Sequence, residues 1–225
     1  MQERADGVYV RVPAIRERGR TVADVLVETL VAFGITHVFG MVGHSNLGFA
    51  DAMRRAEERG ELTYIGIRHE GAAAFAASAY GKLCGRPVVC FAIAGPGSTN
   101  MLTGLYDAKL DQAPVLAISG QVPSAVLGRG AFQDLDLTAV FGDVAAWTTS
   151  VHGGSDHAEL AALAVKHARD ARGVAHLVLP DEVQTQPSDA AAKIPQGRLA
   201  GRLARPGEAE ATARALEGGP PDARG

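Results

Sequence analysis

RHEGAAAFAASAYGKLCGRPVVCFAIAGPGSTN, residues 68–100, is the most informative stretch of this 225-residue chain. Its third residue is an acid, Glu70, which is followed by a predicted alanine-rich helix and then by an apolar run at 88–93 that predicts a strand. A Gly-Pro-Gly turn then opens another helix. A second apolar run at 63–67 precedes the stretch, so strands and helices alternate. Such alternation is typical of a parallel sheet with right-handed crossovers.

The alternation extends over most of the chain. Thr21, with Asp24 three residues later, predicts a capped start of the first helix, and Gly34 predicts its end. Short apolar runs predict strands at 37–40, 63–67, 88–93, 114–119, 145–150 and 174–179. Helices are predicted between them, at 46–59, 70–84, 98–111 and 156–171, with a short one near 135–141. Because the strands are almost wholly apolar, both faces of the sheet should be covered. We therefore expect an α/β fold with a six-stranded parallel sheet flanked by helices on both faces.

Composition narrows the function classes. The chain is 47% hydrophobic and 21% charged, with a formal net charge of −3, and no basic run suggests nucleic-acid binding. No apolar run approaches the length needed to span a membrane, and the first twenty residues lack a secretory signal. Cys84 and Cys90 suggest neither a disulfide framework nor a metal site. We expect a cytoplasmic protein that binds neither membranes nor nucleic acid.

Glu70 stands out before any family is considered. A carboxyl group between an apolar strand and a run of alanines is poorly solvated, so it needs a partner or must stay protonated. That property makes Glu70 a candidate functional residue. Alternatively, Glu70 only occupies the first turn of its helix, where an acid favours the helix dipole. Position alone leaves both interpretations open.

Four unusual loops each follow a predicted strand: GMVGHSN (40–46), RHE (68–70), GPGSTN (95–100) and the segment from GQVPS to AFQD (120–134). Ligands of open parallel sheets bind beyond the carboxyl ends of the strands. The pattern therefore predicts that the four loops share one site.

Familiar nucleotide and hydrolase motifs are not matched. GPGSTN has Asn100 where a dinucleotide fingerprint needs a third glycine, and the next strand ends in Gly120-Gln121 without a ribose-binding acid. GHSNLG lacks the spacing of a nucleophile elbow. The histidines form no ligand set, so no protein metal site is predicted.

The motif RHE-x-AAAF-A-x-x-AYGKL-x-GRP, followed by AGPGSTN, resembles the N-terminal pyrimidine-binding domain of thiamine-diphosphate (ThDP) enzymes. The similarity runs from about Thr21 to Val183 and includes VFGMVGHSN (38–46), AFQDLD (131–136) and GVAHLVLPDEV (173–183). GLYDAKLDQAPVLAISGQ (104–121) is similar to the pyruvate oxidase and acetolactate synthase branch. The loop at 40–46 departs from the family in having Val42 where proline is usual.

The resemblance implies a role for Glu70. Its protonated carboxyl group would hydrogen-bond a ring nitrogen of the aminopyrimidine and favour the imino tautomer, which generates the thiazolium ylide that attacks a 2-keto acid. The other residues expected near the cofactor are Gly43, Pro96, Gly97 and Asn100. Phe132, Gln133 and His44 are expected on the substrate side, although a loop histidine such as His44 is more often only a surface residue.

The resemblance also predicts the organisation: an N-terminal arm at 1–20, the pyrimidine-binding domain at 21–185, and a linker with the truncated start of a central domain at 186–225. Magnesium ligands would lie on a missing domain or a partner, so a homodimer or a partner subunit carrying the diphosphate-binding domain is expected. FAD is possible. The alternatives are an inactive fragment that retains the fold and, less favoured, an unrelated doubly wound binding module.

Overall fold

The computed structural model describes residues 19–195, together with two short antiparallel strands, Gln2–Glu3 and Tyr9–Val10. The chain forms one compact unit over Met1–Ile194, and a second unit begins at Pro195. The rest of the predicted N-terminal arm, and residues 196–225 of the predicted linker and start of a central domain, lie outside the described residues. Within the described part of the chain, no helix combines the length and apolar character that crossing a bilayer requires.

Six parallel strands form the main sheet: β1 His37–Gly40, β2 Thr63–Gly66, β3 Val88–Ala92, β4 Val115–Gln121, β5 Ala145–Ser150 and β6 Val174–Pro180. Their spatial order is β2-β1-β3-β4-β6-β5. Every residue of β3, β4 and β6 is buried, as expected for strands covered on both faces. The six-stranded parallel sheet predicted from the sequence is confirmed.

The helices are α1 Val22–Ala32, α2 Leu47–Glu58, α3 Glu70–Cys84, α4 Pro96–Asn100, α5 Leu102–Leu110, α6 Leu137–Phe141, α7 His157–Ala171 and α8 Asp181–Gln184. Short 3-10 turns cover His44–Asn46 and Ser124–Val126. Helices α1, α2 and α7 contribute to one buried cluster and helices α3, α5 and α6 to the other. The sheet therefore carries helices on both faces, as predicted.

Helix α1 begins as its sequence predicts. The Thr21 hydroxyl accepts a hydrogen bond from the backbone N–H of Asp24 (3.4 Å), and the Asp24 carboxylate accepts one from the backbone N–H of Thr21 (2.9 Å). This reciprocal pair satisfies two N–H groups that the helix itself cannot bond. Residues 186–194 pack along the same helix, where the backbone N–H of Lys193 donates to the Thr29 hydroxyl (3.1 Å).

Helices α3 and α5 approach each other unusually closely. A β-carbon on Gly104 of α5 would lie 2.6 Å from the backbone nitrogen of Phe75 and 2.7 Å from the β-carbon of Ala74, both in α3. The alanines of α3 keep its inner face flat enough for this approach. The alanines of α3 and Gly104 thus allow a close helix–helix contact inside the domain.

Most boundaries differ from prediction by one or two residues, and three differences matter for the site. The helix predicted over 98–111 starts earlier, at Pro96, because proline suits the first helical positions, and it is interrupted at Met101 between α4 and α5. Strand β4 runs on to Gln121. The short helix α8, directly after β6, was not predicted.

Candidate functional site

Three of the four predicted loops meet directly at the carboxyl end of β3. A β-carbon on Gly43, in the loop after β1, would lie 2.6 Å from Cγ2 of Ile93. One on Gly97, in the turn after β3, would lie 2.5 Å from Cγ1 of the same isoleucine and 3.2 Å from Oε1 of Glu70. Glu70 follows β2. The convergence predicted from the order of strands and loops is therefore present in the fold.

Glu70 is both buried and in the first turn of α3. Its side chain is 4% exposed, and Nδ2 of Asn100 donates a hydrogen bond to its Oε2 (3.0 Å). His69 caps the helix, with its Nδ1 accepting from the backbone N–H of Gly71 (3.1 Å). Glu70 is therefore both poorly solvated and at the helix start, because α3 places the acid there and the fold then covers it.

The two carboxylate oxygens of Glu70 have different surroundings. Oε2 is held by Asn100, whereas Oε1 lies beside Gly97 and accepts no hydrogen bond within residues 19–195. Since Gly97 has no side chain, the space next to Oε1 is not filled by the turn. Asn100 itself is exposed, as is Pro96 at the start of α4.

The fourth loop reaches the turn through Gln133. A β-carbon on Gly95 (φ +63°) would lie 2.9 Å from Cα of Gln133, so the two backbones are in contact. Gln133 has φ +66°, a left-handed conformation that costs a non-glycine residue free energy. Its Oε1 is buried and has no hydrogen-bond partner among the described residues. Phe132, by contrast, is 83% exposed.

His44 is exposed on the 3-10 turn after β1. Its charge acts on Asp181, at the start of α8. Burial raises the pKa of Asp181 and Glu182 adds to that rise, whereas His44 opposes it. Within residues 19–195, neither His44 nor Phe132 makes a hydrogen bond to Glu70. The structure therefore groups Glu70 with Gly97 and Asn100, and leaves His44 and Phe132 at the periphery.

Sequence reasoning missed two residues at this edge. Ile93 lies beneath both Gly43 and Gly97, and Ser45 accepts a hydrogen bond from the backbone N–H of Ala94 on its hydroxyl (2.8 Å). Ile93 reads as one more apolar residue of its strand. Ser45 reads as an ordinary loop polar residue, so neither carries a local signal.

The chemistry of these residues suits the pyrimidine end of ThDP. A buried carboxyl group with one oxygen turned toward a glycine can bond a ring nitrogen. In the described part of the chain, no three His, Cys, Asp or Glu side chains cluster so as to hold a metal ion. The residues around Glu70 thus have the chemistry that the pyrimidine of such a cofactor needs.

Comparison with known proteins agrees with this geometry. The model of a family described as "Thiamine pyrophosphate enzyme, N-terminal TPP binding domain" matches residues 20–140, more than half of the chain. Thiamine pyrophosphate and TPP are other names for ThDP.

Three relatives illustrate the similarity. YdaP of Bacillus subtilis, provisionally named a thiamine pyrophosphate-containing protein, is 43% identical over 164 residues, which cover 73% of this chain and 28% of that protein. An acetolactate synthase of Arthrospira platensis is 47% identical over 120 residues (53% and 21%). A pyruvate oxidase of Lactiplantibacillus plantarum is 34% identical over 161 residues (72% and 26%). The aligned part is thus about a quarter of each relative. The family match over residues 20–140 shows that this chain belongs to the N-terminal TPP-binding domains of thiamine pyrophosphate enzymes.

Proposed function

We propose that this domain holds the aminopyrimidine of ThDP and supplies Glu70 as the group that activates the cofactor, in an enzyme that decarboxylates 2-keto acids of the pyruvate type. The observation that supports this proposal is the buried carboxyl group of Glu70, whose Oε2 is fixed by Asn100 while Oε1 is turned toward Gly97. When bound, ThDP supplies the electron sink for decarboxylation. The domain's part is to bind and orient the aminopyrimidine and to exchange a proton with it.

Each site residue has a distinct part in the proposal. Asn100 holds Oε2, so that the proton of the Glu70 carboxyl group resides on Oε1, from which it can be donated to a ring nitrogen. Gly43 and Gly97 let Ile93 pack close to the backbone beside Glu70, and the ring is proposed to lie against these residues. Gln133, whose unpartnered Oε1 is buried near the turn, and the peripheral Phe132 and His44 are proposed to face the substrate.

Magnesium and the diphosphate are proposed to be held elsewhere, on a further domain or on a partner chain. Charge-assisted contacts to a metal-bound diphosphate are stronger than one carboxyl hydrogen bond and stacking. We therefore expect the chain by itself to bind ThDP with Mg²⁺ weakly or not at all, and not to turn over pyruvate. Whether the enzyme requires FAD would also depend on that further domain or partner chain.

A partner surface is proposed on the outer side of α3 and α5. Four large apolar side chains are exposed there: Phe75 and Leu83 on α3, and Tyr106 and Leu110 on α5. Exposed apolar patches of this kind often mark association sites. We propose that a second copy, or a subunit carrying the diphosphate-binding domain, covers them. Light scattering at increasing concentration tests self-association, and loss of the larger species in Leu83→Lys is the expected result.

The test of the proposed function is proton exchange at the thiazolium carbon of ThDP, followed by NMR in D₂O. The chain is combined with the diphosphate-binding polypeptide, or studied within its full-length protein. Glu70→Gln keeps the size of the side chain but removes its acid, so we expect the exchange rate to fall at least about 100-fold. Glu58→Gln, at an exposed carboxylate that pairs with Arg54, is the matched control. An undiminished rate in Glu70→Gln would refute the proposal.

A further inference from the structure

Gln184, the last residue of α8, is a completely buried polar side chain at the edge of the site. Its Nε2 donates hydrogen bonds to the carbonyl oxygens of Ser45 (2.8 Å) and Leu179 (3.1 Å). Its Oε1 accepts one from the backbone N–H of Phe49 (3.0 Å). Two acceptors on one side and a donor on the other fix the orientation of the amide, and a carboxylate or an apolar side chain could not make the same set.

The backbone around Gln184 is shaped to admit it. A β-carbon on Gly48, at the start of α2, would lie 2.6 Å from Cβ of Gln184. A β-carbon on Gly120, near the end of β4, would lie 2.5 Å from the carbonyl oxygen of Ser45. The loop after β1 therefore lies against the end of β4 and is bonded to Gln184, so it has little freedom to move alone.

Ser45 passes this restraint on to the turn beside Glu70. Its carbonyl oxygen is held by Gln184, while its hydroxyl accepts the backbone N–H of Ala94 (2.8 Å). Ala94 immediately precedes the Gly-Pro-Gly turn, in which Gly97 lies next to Oε1 of Glu70. A continuous series of contacts thus runs from Gln184 through Ser45 and Ala94 to the acid.

We propose that Gln184 is a positioning residue of this site: through Ser45 it fixes the turn at 94–97 against which Glu70 is set. The link to cofactor activation rests on the proposed function, whereas the effect on the turn does not. The competing explanation is that Gln184 only bonds the start of α2 through Phe49. The two explanations differ in what happens at Ala94.

Amide hydrogen exchange of the full chain, read residue by residue by NMR, separates them. In Gln184→Met the backbone N–H groups of both Phe49 and Ala94 should exchange at least about tenfold faster. Gln121→Met is the matched control, because Gln121 is also buried, donates to the carbonyl of Leu135 (2.8 Å) and accepts from Val122 (2.9 Å). Gln121→Met should speed up exchange of the backbone N–H of Val122 and leave that of Phe49 protected. Unchanged protection of Ala94 in Gln184→Met would overturn the proposal.

Ser45→Ala tests the second link in a milder variant, should Gln184→Met fail to fold. It removes the hydroxyl but keeps the carbonyl that Gln184 bonds. Ala94 should exchange about tenfold faster while Phe49 keeps its protection. If Ala94 stays protected in this variant, Ser45 does not transmit the restraint and the proposal is wrong.

Proton exchange at the thiazolium carbon in the assembled enzyme then tests the consequence for activation. Gln184→Met and Ser45→Ala should lower its rate at saturating ThDP, about tenfold or more, since a displaced acid works less well once the cofactor is bound. A wild-type enzyme that does not catalyse this exchange would refute the proposed function, and the amide measurements would still decide the role of Gln184. The positioning role would be refuted if variants in which the Ala94 amide has lost its protection still showed the wild-type rate of thiazolium proton exchange.

Discussion

Gly97 and Glu70 lie so close together that a β-carbon at position 97 would stand 3.2 Å from Oε1 of the acid. The same β-carbon would lie 2.5 Å from Cγ1 of Ile93, well inside the contact distance of two carbon atoms. The absence of a side chain at Gly97 therefore sets the position of the turn relative to the carboxyl group.

Gly97→Ala should displace the turn or Ile93 and destabilise the domain by about 1–3 kcal/mol, the usual cost of overpacking. It should also lower the rate of thiazolium proton exchange in the assembled enzyme, because Glu70 would move with the turn. Urea unfolding measures the first effect. Gly154→Ala is the control, since a β-carbon there meets nothing within 4 Å. Equal unfolding free energies for the two variants would contradict the crowding argument.

Gly104→Ala is expected to reverse the usual sign of a glycine substitution in a helix. Alanine in a helix interior normally stabilises by about 1 kcal/mol relative to glycine. Here the new methyl group would lie 2.6 Å from the backbone nitrogen of Phe75, so α3 and α5 must separate and we expect a net loss of about 1–3 kcal/mol. Thermal unfolding compares it with Thr103→Ala, at an exposed position of α5, which should stabilise slightly. A stabilised Gly104→Ala would show that the helices can move apart freely.

His176 should make the domain sensitive to acid. Its ring is fully buried in β6, stacks on Phe141 with centroids 3.9 Å apart, and lies 2.8 Å from the hydroxyls of Ser119 and Thr148. Burial lowers the pKa of His176 from its ordinary 6.5 to about 3. Above pH 6.5 the ring is neutral in both the folded and the unfolded chain, so this group adds no pH dependence there.

Between pH 6.5 and about 3 only the unfolded chain takes up the proton. The free energy of unfolding should therefore fall with falling pH, by up to about 1.4 kcal/mol per pH unit from this group, and level off below the folded-state pKa. Urea unfolding at several pH values measures the slope. His176→Gln, which keeps polar contacts without titrating in this range, should flatten it, whereas His152→Gln, at an exposed histidine, should not. An identical slope in His176→Gln would exclude this histidine as the cause.

The two cysteines should differ sharply in reactivity. Cys84 is exposed at the end of α3, whereas Cys90 is buried in β3, and burial raises the pKa of its thiol to about 12. Only the thiolate attacks alkylating reagents, so iodoacetamide should label Cys84 alone in the native chain and both thiols in denaturant. Mass spectrometry of Cys84→Ser should then show no native labelling, and rapid modification of Cys90 would contradict the buried position. The cytoplasmic location expected from these free cysteines stays a prediction.

Much of the fold could be predicted because its signals are local. The capped start of α1 at Thr21 and the fully apolar run of β3 depend on neighbours in sequence, and both are as expected. Helix α8 and the last residues of β4 could not be predicted, because they are stabilised from a distance. Gln121, for example, bonds the carbonyl of Leu135 across a loop, and nothing near residue 121 shows that partner.

The candidate site also has features that the sequence predicts and features that depend on distant residues. Glu70 was recognisable because an acid between apolar and alanine-rich runs is unusual wherever it occurs. Its bond to Asn100, thirty residues away, and the contacts of Ile93 with two glycines appear only when the strands are side by side. Nothing near Gln184 in the sequence indicates its bond to the carbonyl of Ser45, which lies 139 residues earlier.

The bonds of Gln184 to Ser45 and Phe49 join residues 139 and 135 positions apart, which has a consequence during synthesis. The ribosome adds roughly 5–20 residues per second, so Gln184 is synthesised about 7–28 seconds after the loop that it bonds. Strand β6, which inserts between β4 and β5, is made in the same late interval. Until then the incomplete chain has a loop whose backbone groups lack their hydrogen-bond partner and a sheet without its later strands, and both must be kept from contact with other nascent chains. The loop beside Glu70 should be among the last parts of the domain to become ordered.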